Sequence, residues 1–154
     1  MKIATVSTNS STKKTFVIIG LCSFTGLIDN DDCSGSILLF DISSLSVSNS
    51  DYPLKPYEII STKAPVMQLD IMRTEGKEFL VVAKKSRFVY TSSASVSLFD
   101  FYDLKESDQF TLTNYISCLV VVKNCILVGD INYGLSFLQY RVNSMINDYY
   151  IIER

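Results

Sequence analysis

Short apolar runs recur along the chain in a fixed order, and this repetition limits the possible folds more than any other feature. The runs are separated by stretches rich in Ser, Asn, Asp, Gly and Pro, which is typical of strands joined by turns. Three successive passes of four runs cover approximately residues 1–62, 63–114 and 115–154. They read IATVS, TFVIIGLC, SILLFDI and YEIIS; then VMQLDIM, EFLVVAK, SVSLFDF and QFTLT; then ISCLVVV, CILVGD, LSFLQYR and DYYIIE.

Composition indicates that these runs are strands. The 154 residues include only four alanines and five glutamates against nine tyrosines and nine phenylalanines, so helix formers are scarce and strand formers abundant. A repeat of about 40 to 50 residues with four strands is typical of propeller blades. We therefore predict an all-β fold, a β-propeller segment of about three four-stranded antiparallel blades. A β-sandwich with Greek-key links is the alternative.

Details of the repeat fit blades. A small residue precedes the third strand of each pass, at Gly35, Ala94 and Gly134, where we expect close approach of neighbouring strands. The second strands are continuously apolar, as expected where adjacent blades cover both faces. The fourth strands are shorter and more polar, which suits an outer edge.

Three blades form an open arc, because propellers close with four to eight. Two blade faces would then lack a neighbour. We expect the chain to be part of a larger propeller whose remaining blades cover these faces; self-association is the alternative.

Several functional classes are excluded or disfavoured. The chain has no histidine, which excludes Ser-His and Cys-His nucleophilic pairs and His-ligated metals within it. The net charge of −2 provides no overall attraction to nucleic acid or to an anionic membrane, and no apolar stretch is long enough to span a bilayer. The cysteines do not have zinc-site spacing, and we predict no metal and no cofactor. They are Cys22, Cys33, Cys118 and Cys125.

One basic cluster is a candidate RNA contact, because cations beside aromatic rings are the combination that single-stranded RNA requires. A solvated hairpin tip is the alternative. The cluster consists of Lys84, Lys85, Arg87, Phe88 and Tyr90.

Acidic residues give weaker signals. Asp41, Asp100 and Asp130 occupy comparable places near strand ends, where Asp commonly accepts turn hydrogen bonds, and we assign them no catalytic role. An enzyme in which Asp130 contributes to a site completed by missing blades is the alternative. The loop at 29–32 lacks the ligand pattern of a calcium loop.

Two segments carry a resemblance to a known family. TFVIIGLC followed by CSGSILLFDI, and VVVKNCILVGDINYGLSFLQYR, resemble blade strands of the large triple-propeller proteins. This family comprises the large (A) subunit of the cleavage and polyadenylation specificity factor, a damaged-DNA-binding ubiquitin-ligase adaptor and the large subunit of splicing factor 3b. The matching positions are Phe16–Gly20, Gly35–Asp41, Ala64–Val66, Val122–Asn124, Ile126, Leu127, Asp130, Ser136, Leu138 and Tyr140.

The amino-acid sequences of these segments are most similar to that of the polyadenylation factor. The resemblance implies a nuclear, non-catalytic scaffold of a pre-mRNA 3′-end cleavage and polyadenylation complex. It would dock other protein subunits, with RNA as a further partner and no membrane contact. The related branches imply the alternatives, an adaptor of a ubiquitin ligase in DNA damage or a splicing-factor scaffold.

Overall fold

The computed structural model describes residues 1–7, 13–24, 33–43, 55–74, 76–85, 93–131, 134–142 and 149–153. Within these ranges twelve strands form three four-stranded antiparallel sheets. Blade 1 contains β1 (Lys2–Ser7), β2 (Lys13–Phe24), β3 (Cys33–Asp41) and β4 (Glu58–Thr62). Blade 2 contains β5 (Val66–Thr74), β6 (Lys77–Lys85), β7 (Ala94–Asp100) and β8 (Glu106–Leu112). Blade 3 contains β9 (Ile116–Val122), β10 (Cys125–Asp130), β11 (Leu135–Val142) and β12 (Tyr149–Glu153).

Strands within each blade pair in chain order, so every connection inside a blade joins neighbours. The apolar runs form the second and third strands, and the more polar runs form the fourth, as in β8 with its sequence ESDQFTL. The structure confirms the predicted all-β propeller segment. It has three separate sheets of four strands, where a sandwich would have two facing sheets.

Blade 2 is covered on both faces. Residues 79–84 of β6 and 94–99 of β7 are all buried, so side chains on both sides of the sheet are removed from water. Successive side chains of a strand point to opposite faces. Accordingly Phe79, Val81 and Ala83 pack against blade 3, whereas Leu80 and Val82 pack against blade 1.

The terminal blades are covered on one face. Burial alternates along β3 and nearly alternates along β10, because only one side of each sheet meets another blade. We expect the second strand of every pass to be buried along its length. Of the three second strands, β2, β6 and β10, this holds only for β6. The sequences of β2 and β10 are nevertheless apolar on both sides, which leaves hydrophobic side chains on the open faces.

Side chains of β5 join blade 2 to the inner strand of blade 3. The Gln68 amide donates to the Leu119 carbonyl (2.9 Å) and accepts from the Leu119 amide (2.8 Å). Asp70 accepts from the Val121 amide (2.9 Å) and is 3.0 Å from the Lys2 ammonium of β1. Asp70 thus connects the inner strands of all three blades.

The close approach expected at small residues is found at Gly35, which lies inside β3 and not before it, and is absent at Gly134. A Cβ at Gly35 would lie 2.5 Å from the Ala64 carbonyl oxygen and 2.8 Å from the Leu21 carbonyl oxygen, so the linker between blades packs directly on the backbone. At Gly134 a Cβ would meet nothing within 4 Å. That residue has φ 96° and serves the turn before β11.

Candidate docking surfaces

The open face of blade 1 carries apolar side chains in rows across the sheet. Ile3 lies opposite Val17, which lies opposite Phe40. A second row of the same face joins Ile19, Leu38 and Ile59. Ile3 is 63% exposed and Ile59 is 55% exposed. Exposed apolar rows of this kind are typical of interaction surfaces.

Blade 3 has the corresponding face on the opposite side of the arc. Val120 lies opposite Leu127, which lies opposite Phe137. Leu135 of the same face is 69% exposed. The two terminal blades therefore present apolar surfaces in opposite directions.

A cleft of about 420 Å³ lies between blade 1 and blade 2. Its blade 1 wall contains Thr62 and Lys63, and its blade 2 wall contains Lys84, Glu106 and Gln109. We call this space the interblade cleft. The Thr62 hydroxyl donates to the Ala64 carbonyl (2.7 Å) and fixes the first wall, while β6 and β8 position the second.

An ion pair between a buried lysine and an exposed glutamate lines the interblade cleft. The Lys84 ammonium is 2.9 Å from a Glu106 carboxylate oxygen and also lies over the Phe99 ring, at 5.9 Å from its centroid. Lys84 as a whole is only 6% exposed. A buried ammonium requires such a partner, because desolvation of an isolated charge is costly.

The neighbours of Glu106 keep it ionised. Burial of the carboxylate raises its pKa. The Ser97 hydroxyl and the ammonium groups of Lys84 and Lys63 together lower the pKa by a larger amount, so it lies below the ordinary value of 4.5. Lys63, on the blade 1 wall, makes the smallest contribution to this lowering of the Glu106 pKa. Glu106 is therefore an anion at neutral pH.

Lys85 continues the basic edge of the cleft. Its ammonium lies 4.9 Å from the centroid of the Tyr115 ring, a cation–π arrangement. Its backbone amide donates to the Pro65 carbonyl (3.0 Å), which ties the end of β6 to the linker that precedes β5.

The structure separates the members of the basic cluster that the sequence proposes as RNA contacts. Lys84 is buried in the joint between blades, and Lys85 is partly exposed at the edge of the cleft. Arg87, Phe88 and Tyr90 lie outside the described residues, so RNA contact by the cluster stays a prediction.

The three aspartates do not form one site. Asp41 accepts from the Ser43 amide (3.0 Å) and Asp100 from the Tyr102 amide (2.7 Å), the turn role expected of them. Each is also paired with a lysine of the preceding strand, Lys14 at 2.9 Å and Lys77 at 3.8 Å. Asp130 ends β10, which runs in the opposite direction to β3 and β7, and lies at the other end of the blades.

Neither a metal-binding cluster nor a membrane-spanning helix occurs in the described ranges. They contain no group of three or more Cys, Asp or Glu side chains placed to hold a metal ion. They also contain no helix long and apolar enough to cross a membrane. The acidic loop at 29–32 lies outside the described residues.

Sequence reasoning missed two charged groups of the interblade cleft, Lys63 and Glu106. Both are distant in sequence from the basic cluster and reach it only through the packing of blade 1 on blade 2. A weak signal existed, because Lys63 directly precedes Ala64-Pro65-Val66, the segment that resembles the start of a blade in the large triple-propeller proteins.

Asn124 and Tyr140, two residues of the family resemblance, contact each other. The Tyr140 amide donates to the Asn124 carbonyl (2.8 Å), and the Asn124 side-chain amide donates to the Tyr140 carbonyl (3.3 Å). This double contact ties the β9–β10 turn to β11 and gives the pattern a structural reason.

Comparison with family models identifies the same group of proteins. The model described as "CPSF A subunit region" matches residues 1–150. The chain belongs to the CPSF A subunit family. No curated protein matches the chain significantly. As a member of the CPSF A subunit family, the chain is of a scaffold type associated with mRNA 3′-end processing and related complexes.

Proposed function

We propose that this chain is a propeller scaffold of a pre-mRNA 3′-end cleavage and polyadenylation complex in the nucleus, and that it docks other protein subunits without catalysing a reaction. The family match over residues 1–150 carries the proposal. Within the family, the Lys123-Asn124 segment and the CSGSILLFDI strand favour the polyadenylation factor over its relatives.

The architecture supports a docking role. Blade 2 is buried between its neighbours. Hydrogen bonds from Gln68 and Asp70 of β5 to the backbone of β9, which we call the β5–β9 clamp, hold the inner strands together. The arc is therefore a rigid platform. The open faces of blades 1 and 3 are apolar and suit contact with further propeller blades or with partner proteins. The interblade cleft provides a polar surface between them.

Affinity capture tests this function. The tagged full chain is expressed in cells, and bound proteins are identified by mass spectrometry. We expect polyadenylation subunits. Recovery of cullin-ligase or splicing-complex subunits in their place would contradict the proposal and assign the chain to a sister branch.

Contact with RNA is a separate proposal, supported by the placement of Lys85 beside the Tyr115 ring. It involves the basic cluster of Lys84, Lys85, Arg87, Phe88 and Tyr90, in which Lys84 is buried and paired with Glu106. A filter-binding titration of the chain with single-stranded RNA is expected to show an affinity that falls as salt concentration rises. An RNA affinity that is absent, or that does not change with salt, would overturn it.

A further inference from the structure

The lining of the interblade cleft is more basic than its ion pair requires. Among the described residues, it contains Lys63, Lys84 and Lys85 and one carboxylate, that of Glu106. Because Lys84 is paired with Glu106 at 2.9 Å, the ammonium groups of Lys63 and Lys85 give the described part of the lining a net positive charge. Such a cleft attracts a ligand that carries carboxylates or other anionic groups.

The same lining offers acceptors for hydrogen-bond donors. Glu106 is ionised at neutral pH, and its Oε1 accepts from the Lys84 ammonium at 2.9 Å. Hydroxyl and amide groups of Thr62, Gln109 and Thr111 complete the walls. A ligand suited to this surface has anionic groups for the lysines and N–H groups for Glu106.

An acidic peptide has this combination, because its side chains supply carboxylates and its backbone supplies N–H donors. A nucleic-acid strand fits less well for two reasons. Its sugar-phosphate backbone has no N–H donors for Glu106, and Phe99, the aromatic side chain among the described lining residues, is only 4% exposed and offers no stacking face. The volume of about 420 Å³ is within the usual range of ligand pockets.

We propose that the interblade cleft binds an acidic peptide segment of a partner protein, with its carboxylates on Lys63 and Lys85 and a backbone N–H on Glu106. This inference deepens the docking function proposed above and rests on it. It specifies the chemistry of one docked segment, which is acidic. The apolar open faces of blades 1 and 3 suit other contacts.

Fluorescence anisotropy tests the proposal with labelled decapeptides of alternating Glu and Ser, Gln and Ser, or Lys and Ser, and with a labelled uridine decaribonucleotide. We expect the Glu/Ser peptide to bind at least ten-fold more tightly than the other probes and to weaken as salt rises. The double variant Lys63→Ala/Lys85→Ala should lose at least ten-fold in affinity, and Lys63→Arg/Lys85→Arg should retain it.

The matched control is Lys105→Ala. Lys105 is a highly exposed lysine beside Asp103 that does not line the cleft, and its loss should leave peptide affinity unchanged. Three results would overturn the proposal: no binding of the Glu/Ser peptide at 1 mM, an equal loss of affinity in the Lys105 variant, or preference for the RNA probe.

Affinity capture with the Lys63→Ala/Lys85→Ala chain separates this proposal from the broader function. If the cleft does not dock an acidic segment, the variant captures the same polyadenylation subunits in the same amounts as the unaltered chain. If the broader function is wrong, the unaltered chain captures a different complex, while peptide binding and its dependence on the two lysines persist.

Discussion

Single residues set the fit between blade 1 and blade 2. Gly20 lies in β2, and a Cβ there would collide with the Val66 side chain and approach Leu69 of β5. Val66 and Leu69 are buried core residues of this joint, so neither can move into solvent. The missing side chain of Gly20 is what allows the two sheets to pack closely.

Replacing Gly20→Ala should therefore destabilise the chain by about 1–3 kcal/mol through overpacking. The measurement is the urea midpoint of unfolding. Ile3→Ala, on the open face of β1, is the control and should change stability by less than about 0.5 kcal/mol. An unchanged midpoint in Gly20→Ala would show that the joint is looser than described.

The ion pair of Glu106 makes stability depend on pH. Its pKa in the folded chain is below 4.5, its ordinary value, so its contribution is complete above pH 4.5 and is lost as pH falls through the folded pKa. Glu106→Gln removes this contribution. The stability difference between the unaltered chain and the variant should be greatest near pH 7 and should shrink toward pH 3.

Urea midpoints at pH 7, 5, 4 and 3 measure this difference. A difference that is the same at every pH would show that the Glu106 carboxylate gains no stability from Lys84. A difference that grows toward pH 3 would show that the folded chain raises the pKa of Glu106, contrary to the lowering described here.

Individual strands show what the sequence could predict. Alternating and continuous apolar runs located all twelve strands, and the predicted bounds of β9 and β10 agree with the structure. β8 was predicted to begin at Gln109, but it begins at Glu106. The early residues of β8 are polar because this outer strand faces water, and hydrophobic pattern alone does not mark such a strand.

The candidate site was less predictable than the strands. Lys84 and Lys85 were identified from a local cluster, but the burial of Lys84 depends on blade 1, and its partner Glu106 is 22 residues away. Gly134 was misinterpreted for a similar reason, since sequence spacing does not distinguish a turn glycine from one in close contact. These features arise from packing between strands distant in sequence.

At the level of strands, Gln68 of β5 holds the inner strand β9 through two hydrogen bonds to Leu119. Gln68 satisfies both the amide and the carbonyl of Leu119, groups on the side of the innermost strand that has no sheet neighbour. Gln68→Ala should leave them without this partner and destabilise the chain by about 1–3 kcal/mol. Gln109→Ala, in exposed β8, should be within about 0.5 kcal/mol of the unaltered chain. Equal midpoints for the two variants would contradict the clamp.

At the scale of the whole molecule, the blades form a short stack in which only the middle member has two neighbours. Stability in such arrays is approximately the sum of unit and interface contributions. Blade 2 has two interfaces, each with its own buried cluster, whereas blades 1 and 3 have one interface each. Opening of a terminal blade breaks fewer contacts than opening of blade 2.

Hydrogen exchange followed by mass spectrometry should show this order. We expect the amides of β6 and β7 to exchange most slowly and those of β3 and β10 to exchange faster. Exchange that is as slow in β3 and β10 as in β6 would indicate that the open faces are covered in solution. Faster exchange in β6 than in β3 would contradict the stacked arrangement.

The exposed thiol of Cys118 gives the open face of blade 3 a chemical reporter. Cys118 lies opposite Gly129 on this face, and an added Cβ at Gly129 would be 2.5 Å from its sulfur. Cys22 is also exposed, but it lies on the side of β2 that faces blade 2. A bulky maleimide should therefore alkylate Cys118 more slowly in an assembled complex than in the isolated chain, with Cys22 as the internal reference. The ratio of the two alkylation rates would footprint, inside a living cell, whether that end of the arc is occupied.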